Sequence, residues 1–183
     1  MKKIMMTLAA AVLAVSASAQ VYVGGNVGIA SAKTEGSDAE TTYRFLPEIG
    51  YNINNDWAVG VTFGWAYGAM TNGSQTTISY NGDRTVEVAP YVRYTFVHSK
   101  LLNVFMDGTL GYGHIYGNGA NTDVYSIGLK PGVALNVSKH VSVVAHIGFF
   151  GYQQISPKNA DKTNIWTANL DGNNILLGVY YNF

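Results

Sequence analysis

Alternation with a period of two recurs in four seven-residue stretches, which begin at Pro47, Pro90, Pro131 and Leu177, the last ending at Phe183. Their third, fifth and seventh places hold Ile49, Tyr51, Ile53; Val92, Tyr94, Phe96; Val133, Leu135, Val137; and Val179, Tyr181, Phe183, all apolar or aromatic. The places between hold small, polar or charged residues, among them Glu48, Gly50, Tyr91, Arg93, Gly132, Gly178 and Tyr180. Successive side chains of a strand point to opposite faces, so each stretch is a ribbon with one greasy side. The copies start roughly forty residues apart, room for two strands, a turn and a loop, and four such hairpin units predict eight strands.

The segments between the copies alternate as well. In Val21 to Ser31, Val21, Val23, Val27 and Ile29 oppose Tyr22, Gly24, Asn26 and Gly28. In Trp57 to Gly68, Trp57, Val59, Val61, Phe63, Trp65 and Tyr67 oppose Ala58, Gly60, Thr62, Gly64, Ala66 and Gly68. The stretches Asn103 to Tyr116 and Val141 to Tyr152 follow more loosely, and their register stays open.

Residues 1–19 have the three parts of a secretory signal: Met1-Lys2-Lys3, an apolar run Ile4 to Val15, and small residues ending at Ala19. The apolar run is too short for a membrane anchor helix, which needs roughly 20 residues. Cleavage there leaves residues 20–183 as one domain, slightly acidic once Lys2 and Lys3 are gone, with no charge pattern for nucleic acid. The chain has no cysteine, so its stability is expected from a closed hydrogen-bonded sheet rather than disulfides.

Connection lengths depend on parity. Asn54-Asn55-Asp56, His98 to Leu102 and Ser138-Lys139-His140 are short, whereas Lys33 to Thr41, Met70 to Arg84, Gly117 to Thr122 and Gln153 to Gly172 are mostly longer and polar. An even strand count with one trimmed and one elaborated end is the pattern of bacterial outer-membrane barrels, short turns periplasmic and long loops extracellular. The rival is a soluble barrel with its apolar face inward around a ligand. Such a barrel must show water a charged face, yet only 12% of residues are charged and the second face carries Gly60, Gly64, Gly128, Gly132, Gly148 and Gly178. Eight strands enclose a lumen barely wide enough for side chains, and Trp57, Phe63, Trp65 and Phe149 would overfill it, so they are assigned outward. The expected fold is therefore all-β: an eight-stranded antiparallel up-and-down transmembrane β-barrel behind a cleavable signal peptide. Tyr51, Trp57, Tyr94, Phe96, Tyr181 and Phe183 at the trimmed end, with Tyr43, Trp65, Tyr67 and Tyr125 at the other, fit two interfacial aromatic girdles.

With these features the chain resembles the small outer-membrane β-barrel family that includes the OmpA transmembrane domain, OmpX and the opacity proteins. The resemblance spans residues 20–183 and rests on the export signal, the eight alternating segments and the final strand Asn174 to Phe183. It implies that Phe183, with Tyr181, Val179 and Leu177 before it, is the signal read by the outer-membrane assembly machinery. It also implies contact with outer-membrane lipid and lipopolysaccharide. Because the chain stops at that strand, an OmpA-type peptidoglycan-binding domain is not expected. The in-strand prolines Pro47, Pro90 and Pro131 depart from a regular ladder, and a bulge or a missing bond is expected at each.

The inward set predicts a polar network of Arg44, Glu48, Glu87, Arg93, Asp107, Lys130 and His146, with Glu48 and Lys130 able to pair across the lumen. Ions in so narrow a space must be paired or wet, so a salt-bridged, closed lumen is expected. A small-solute channel is the alternative. A lipid-modifying enzyme would need a serine or histidine with partners near the outward lip. His98 and His140 fall in predicted turns, His146 inside, and His114 lacks a visible partner at strand spacing, so no enzymatic activity is expected. Gly117 to Asp123 and the acids Asp38, Glu40 and Asp83 read as turn chemistry, and neither metal nor cofactor is expected. The working surface is then the loops 70–84 and 153–172, the latter with Trp166, expected to meet a host or envelope ligand in a structural or adhesin-like role, with an inert cap over the barrel as the alternative.

Overall fold

Each strand's partners follow from which residues can lend a side chain to hydrocarbon on one face and fit a narrow lumen on the other. The computed structural model describes residues 20–32, 40–67, 84–116, 121–158, 160–170 and 176–183. The expected export signal at 1–19 and residues 70–83 of the expected loop lie outside the described residues. Ten strand segments form one sheet: β1 (Val21–Ala32), β2 (Glu40–Asn52), β3 (Trp57–Tyr67), β4 (Arg84–Val97), β5 (Leu102–Tyr116), β6 (Thr122–Asn136), β7 (Val141–His146), β8 (Phe149–Pro157), β9 (Thr163–Asn169) and β10 (Leu176–Asn182). Neighbours run antiparallel from β1 to β6. Then β6 pairs with both β7 and β8, β8 with β9, β7 with β10, and β10 with β1. Two pairs of segments share a wall position, β7 with β8 and β9 with β10, so ten segments build an eight-position closed barrel.

This arrangement corrects the reading of 153–172 as a loop. Gln153 to Pro157 and Thr163 to Asn169 are the upper wall, with Tyr152 opposite Trp166 and Gln154 opposite Asn164. Their tyrosine, amide and tryptophan content looked like loop chemistry, but β8 also pairs with β6 from Thr122 to Leu129 and is held on both edges.

Phe149 is a second correction. It is 2% exposed, inside the lumen, and so is His146. Period two cannot place residues 146 and 149 on one face of an unbroken strand. The break at Ile147-Gly148 shifts parity by one: the β6 partners run Gly132 to His146 but Leu129 to Phe150. Gly148 takes a φ of 96°, which side chains rarely adopt, and the Ile147 amide still donates to the Pro131 carbonyl at 2.9 Å.

Each proline interrupts a ladder on one side. Ala89 and Pro90 have no β5 partners between the pairs Val88–Tyr112 and Tyr91–Thr109, and Leu46 and Pro47 none in β3 between Phe45–Trp65 and Glu48–Thr62. Pro131 sits at the β7/β8 shift. The three short turns share one device, a side-chain oxygen that accepts amides two and three residues on: Asn54 from Asp56 and Trp57, Ser99 from Leu101 and Leu102, and Ser138 from His140 and Val141.

Along β3 the alternation is plain: Trp57, Phe63, Trp65 and Tyr67 are exposed while Ala58, Thr62, Gly64 and Ala66 are buried. At about 3.3 Å per residue and a strand tilt of about 40°, the outward band from Trp57 to Tyr67 stands roughly 25 Å tall, the height of a hydrocarbon slab. The inward glycines are seats for rings. A Cβ on Gly24 would stand 2.2 Å from the Tyr180 ring, on Gly50 2.2 Å from Tyr22, on Gly60 2.3 Å from the Tyr91 hydroxyl, and on Gly132 2.4 Å from Phe105. Phe149 lies between Gly128 and Gly151 in the same way. Gly60→Ala should therefore lower the urea midpoint of the folded barrel, read by gel migration without boiling, by about 1–3 kcal/mol of stability. Gly108→Ala, whose Cβ meets nothing nearer than 3.8 Å, should be close to neutral; equal midpoints for the two variants would contradict ring seating.

Candidate functional site

The strand register brings the lumen charges together. Arg93 on β4 lies opposite Asp107 on β5, which lies opposite Lys130 on β6. Arg93 donates to Asp107 through Nε at 2.7 Å and Nη2 at 2.8 Å, a two-pronged bond, and its Nη2 also reaches Glu48 of β2 at 3.4 Å. The second Asp107 oxygen meets His146 Nε2 at 3.0 Å. Glu48 Oε1 accepts from the hydroxyls of Tyr91 at 2.5 Å and Tyr180 at 2.7 Å, and Tyr91 bonds Tyr22 at 2.6 Å.

Rings close the space that the ions leave. The Arg93 guanidinium carbon is 3.9 Å from the Phe105 centroid and between 5.3 and 5.6 Å from those of Tyr91, Tyr180 and Tyr22. Tyr22 and Tyr180 stack at 5.3 Å. A buried guanidinium is strongly desolvated, and here two carboxylates and a ring shell replace its water. Arg93, Asp107 and Glu48 are all under 8% exposed, so the cluster is buried inside the barrel.

Of the seven residues expected in the network, Glu48, Arg93, Asp107 and His146 form one cluster. Lys130 is buried opposite Asp107 without an ion pair among the described residues. The expected Glu48–Lys130 pairing does not form: Glu48 is taken by Arg93, Tyr91 and Tyr180, which reach it first. Arg44 and Glu87 occupy inward positions nearer the long-loop end, level with Ala66 and Gly64 of β3. Sequence reasoning missed Tyr22, Tyr91, Tyr180 and Phe105 as network members. The first three carried a signal in their inward parity, beside Gly24, Arg93 and Asn182.

Aromatics band the outer wall where expected by parity. Near the short turns, Trp57 packs on Tyr94 at 4.7 Å and Tyr181 on Phe183 at 5.0 Å, with Tyr51 and Phe96 exposed alongside. At the other end Tyr43 touches Trp65 and Tyr67, Tyr112 touches Tyr125, and Tyr152 touches Trp166. Trp166 thus belongs to the upper ring band rather than to a loop. Leu177 and Val179 face outward on β10. Just above that band His114 does have an acid partner, Asp123, at 2.7 Å, which strand spacing hid because it comes from the neighbouring strand β6. Asp123 lies opposite Ser156 on its other side, so the acid stands between histidine and serine, the wrong order for activating a nucleophile. Among the described residues no group of three metal-ligating side chains occurs.

Below this cluster lies a cavity of about 950 Å³ among the short turns, with Arg93, Tyr22, Tyr180 and Phe105 as its floor.

An antiparallel closed barrel with an apolar outer belt, two ring bands and a polar lumen defines the class of membrane-spanning β-barrels. The chain belongs to the outer membrane protein beta-barrel domain family, whose description matches residues 4–183. A crystal structure of Neisserial surface protein A (NspA) is similar at 15% identity and a TM-score of 0.49, covering 91% of this chain and 98% of that one. No curated protein matches it.

If the Arg93 cluster is one coupled unit, Arg93→Met should cost about 3–5 kcal/mol by stranding two buried carboxylates. Adding Asp107→Leu should recover part of that loss in urea titrations; strictly additive losses would contradict the coupling.

Proposed function

We propose that this protein is a closed, non-conducting barrel of the bacterial outer membrane, with a structural and surface-interaction role carried by its long loops. This reading is supported by the Arg93 cluster: two carboxylates, one guanidinium and four rings packed together in the lumen, which we read as a plug. In this reading residues 1–19 are removed on export, the short turns face the periplasm and the long loops face outside. Leu177, Val179, Tyr181 and Phe183 present the assembly signal, and the outer belt meets lipid and lipopolysaccharide. Loop 70–84 and the 158–162 connection at the tip of β8 and β9 are the surfaces offered to a host or envelope ligand, in an adhesin-like manner. No cofactor, metal, nucleic acid or catalytic role enters; the inverted order of His114, Asp123 and Ser156 supports the last point.

A small-solute channel is the second reading, favoured by one feature, the wide cavity that already takes the lumen from the turns to Arg93. Planar-bilayer recording separates the two. Wild-type protein should give no steady conductance, and Arg93→Ala combined with Asp107→Ala should open measurable current. Steady wild-type conductance that this double substitution leaves unchanged would favour the channel.

A further inference from the structure

The cavity under the plug is blind, and its walls are unlike the rest of the barrel. They are lined chiefly by amides and hydroxyls: Asn52, Asn55, Asn136, Ser142 and Asn182 ring the space. Asn136 accepts from Ser142, and Asn182 donates to Ser142, so one wall is a fixed polar relay. An amide offers donors and an acceptor together, which matches hydroxyl groups that do both. The floor, Tyr22, Tyr180 and Phe105, is sealed by its own packing around Arg93, so a ligand meets the polar walls and the rim. A lipid tail would find few apolar walls here.

The rim is electrostatically lopsided. Asp56, the acid of the lining, is engaged by His98 at 3.5 Å. Lys100 and Lys139, from two different short turns, have no ion pair among the described residues. The volume, about 950 Å³, is within the roughly 300–1,000 Å³ range of small-ligand sites.

We infer that this vestibule binds the end of an acidic oligosaccharide, with amides and hydroxyls reading sugar hydroxyls and Lys100 and Lys139 taking a carboxylate. Its exposure to periplasmic glycans rests on the orientation proposed above, but binding itself does not. Charges at a rim act on encounter and on discrimination against neutral ligands more than on raw contact area.

Calorimetric titration of the detergent-solubilised protein with tri-galacturonic acid, and with maltotriose as the neutral counterpart, tests this. Saturable binding of tri-galacturonic acid is expected, tighter than that of maltotriose. Lys100→Ala with Lys139→Ala should weaken it about tenfold, and Ser142→Phe, which fills the wall, should abolish it, with gel migration showing both variants folded. No saturable binding overturns the inference, as does affinity unchanged in the lysine variant. So does loss in the lysine variant with full binding in folded Ser142→Phe, which would put the lysines' effect outside the vestibule. Micelles leave both barrel ends open, so failure here leaves the orientation standing, and an inverted orientation found by protease protection of cells leaves the binding standing.

Discussion

An eight-strand barrel leaves room inside for little more than one layer of side chains, and every large inward group therefore needs a recess in the wall next to it. In this protein the recesses are glycines on the adjoining strands: Gly50 for Tyr22, Gly60 for Tyr91, Gly24 for Tyr180, Gly132 for Phe105. With the rings laid flat over backbone, their hydroxyls and faces converge on Arg93, and that convergence brings two carboxylates within reach of one guanidinium. Ring seating and charge pairing are one arrangement. Space for this cluster exists because the wall around it carries glycines.

The same parity rule governs the outside. Bulky residues excluded from the lumen form the belt, and at its two edges they touch laterally, Trp57 on Tyr94 and Tyr112 on Tyr125. Above the upper band the outward surface becomes polar within one residue pair, where His114 meets Asp123. Below the lower band the chain turns at once, each turn fastened by an asparagine or serine side chain.

Period-two alternation makes β2, β3, β4, β6 and β10 legible in the sequence, because each keeps one phase over most of its length, β4 shifting only between Thr95 and Val97 at its end. It failed where phase changes. The Ile147-Gly148 break is invisible to a pattern that assumes one register, so Phe149 was put on the wrong face. The β8 and β9 pair, rich in Gln, Asn, Thr and Trp, has loop composition and strand geometry, since β8 is held by β6 on one edge and by β9 on the other. In the lumen, the charged residues were legible by parity, but their partners were not. Which of two inward cations meets Glu48 depends on height and on the tyrosines between, and three-dimensional register sets both. Arg93 has two hydroxyl-bearing rings beside it that also hold Glu48; Lys130 does not.

All of this depends on bulky groups facing hydrocarbon. The three tryptophans, Trp57, Trp65 and Trp166, are all exposed on the outer wall, 45%, 52% and 81% respectively, so whole-protein fluorescence reports that surface. Reconstitution into bilayers of lipids brominated at defined acyl depths measures it directly. The account predicts strong quenching, greatest for bromines near the interfaces, with little effect of aqueous iodide. Efficient iodide quenching with indifference to bromolipid would contradict it.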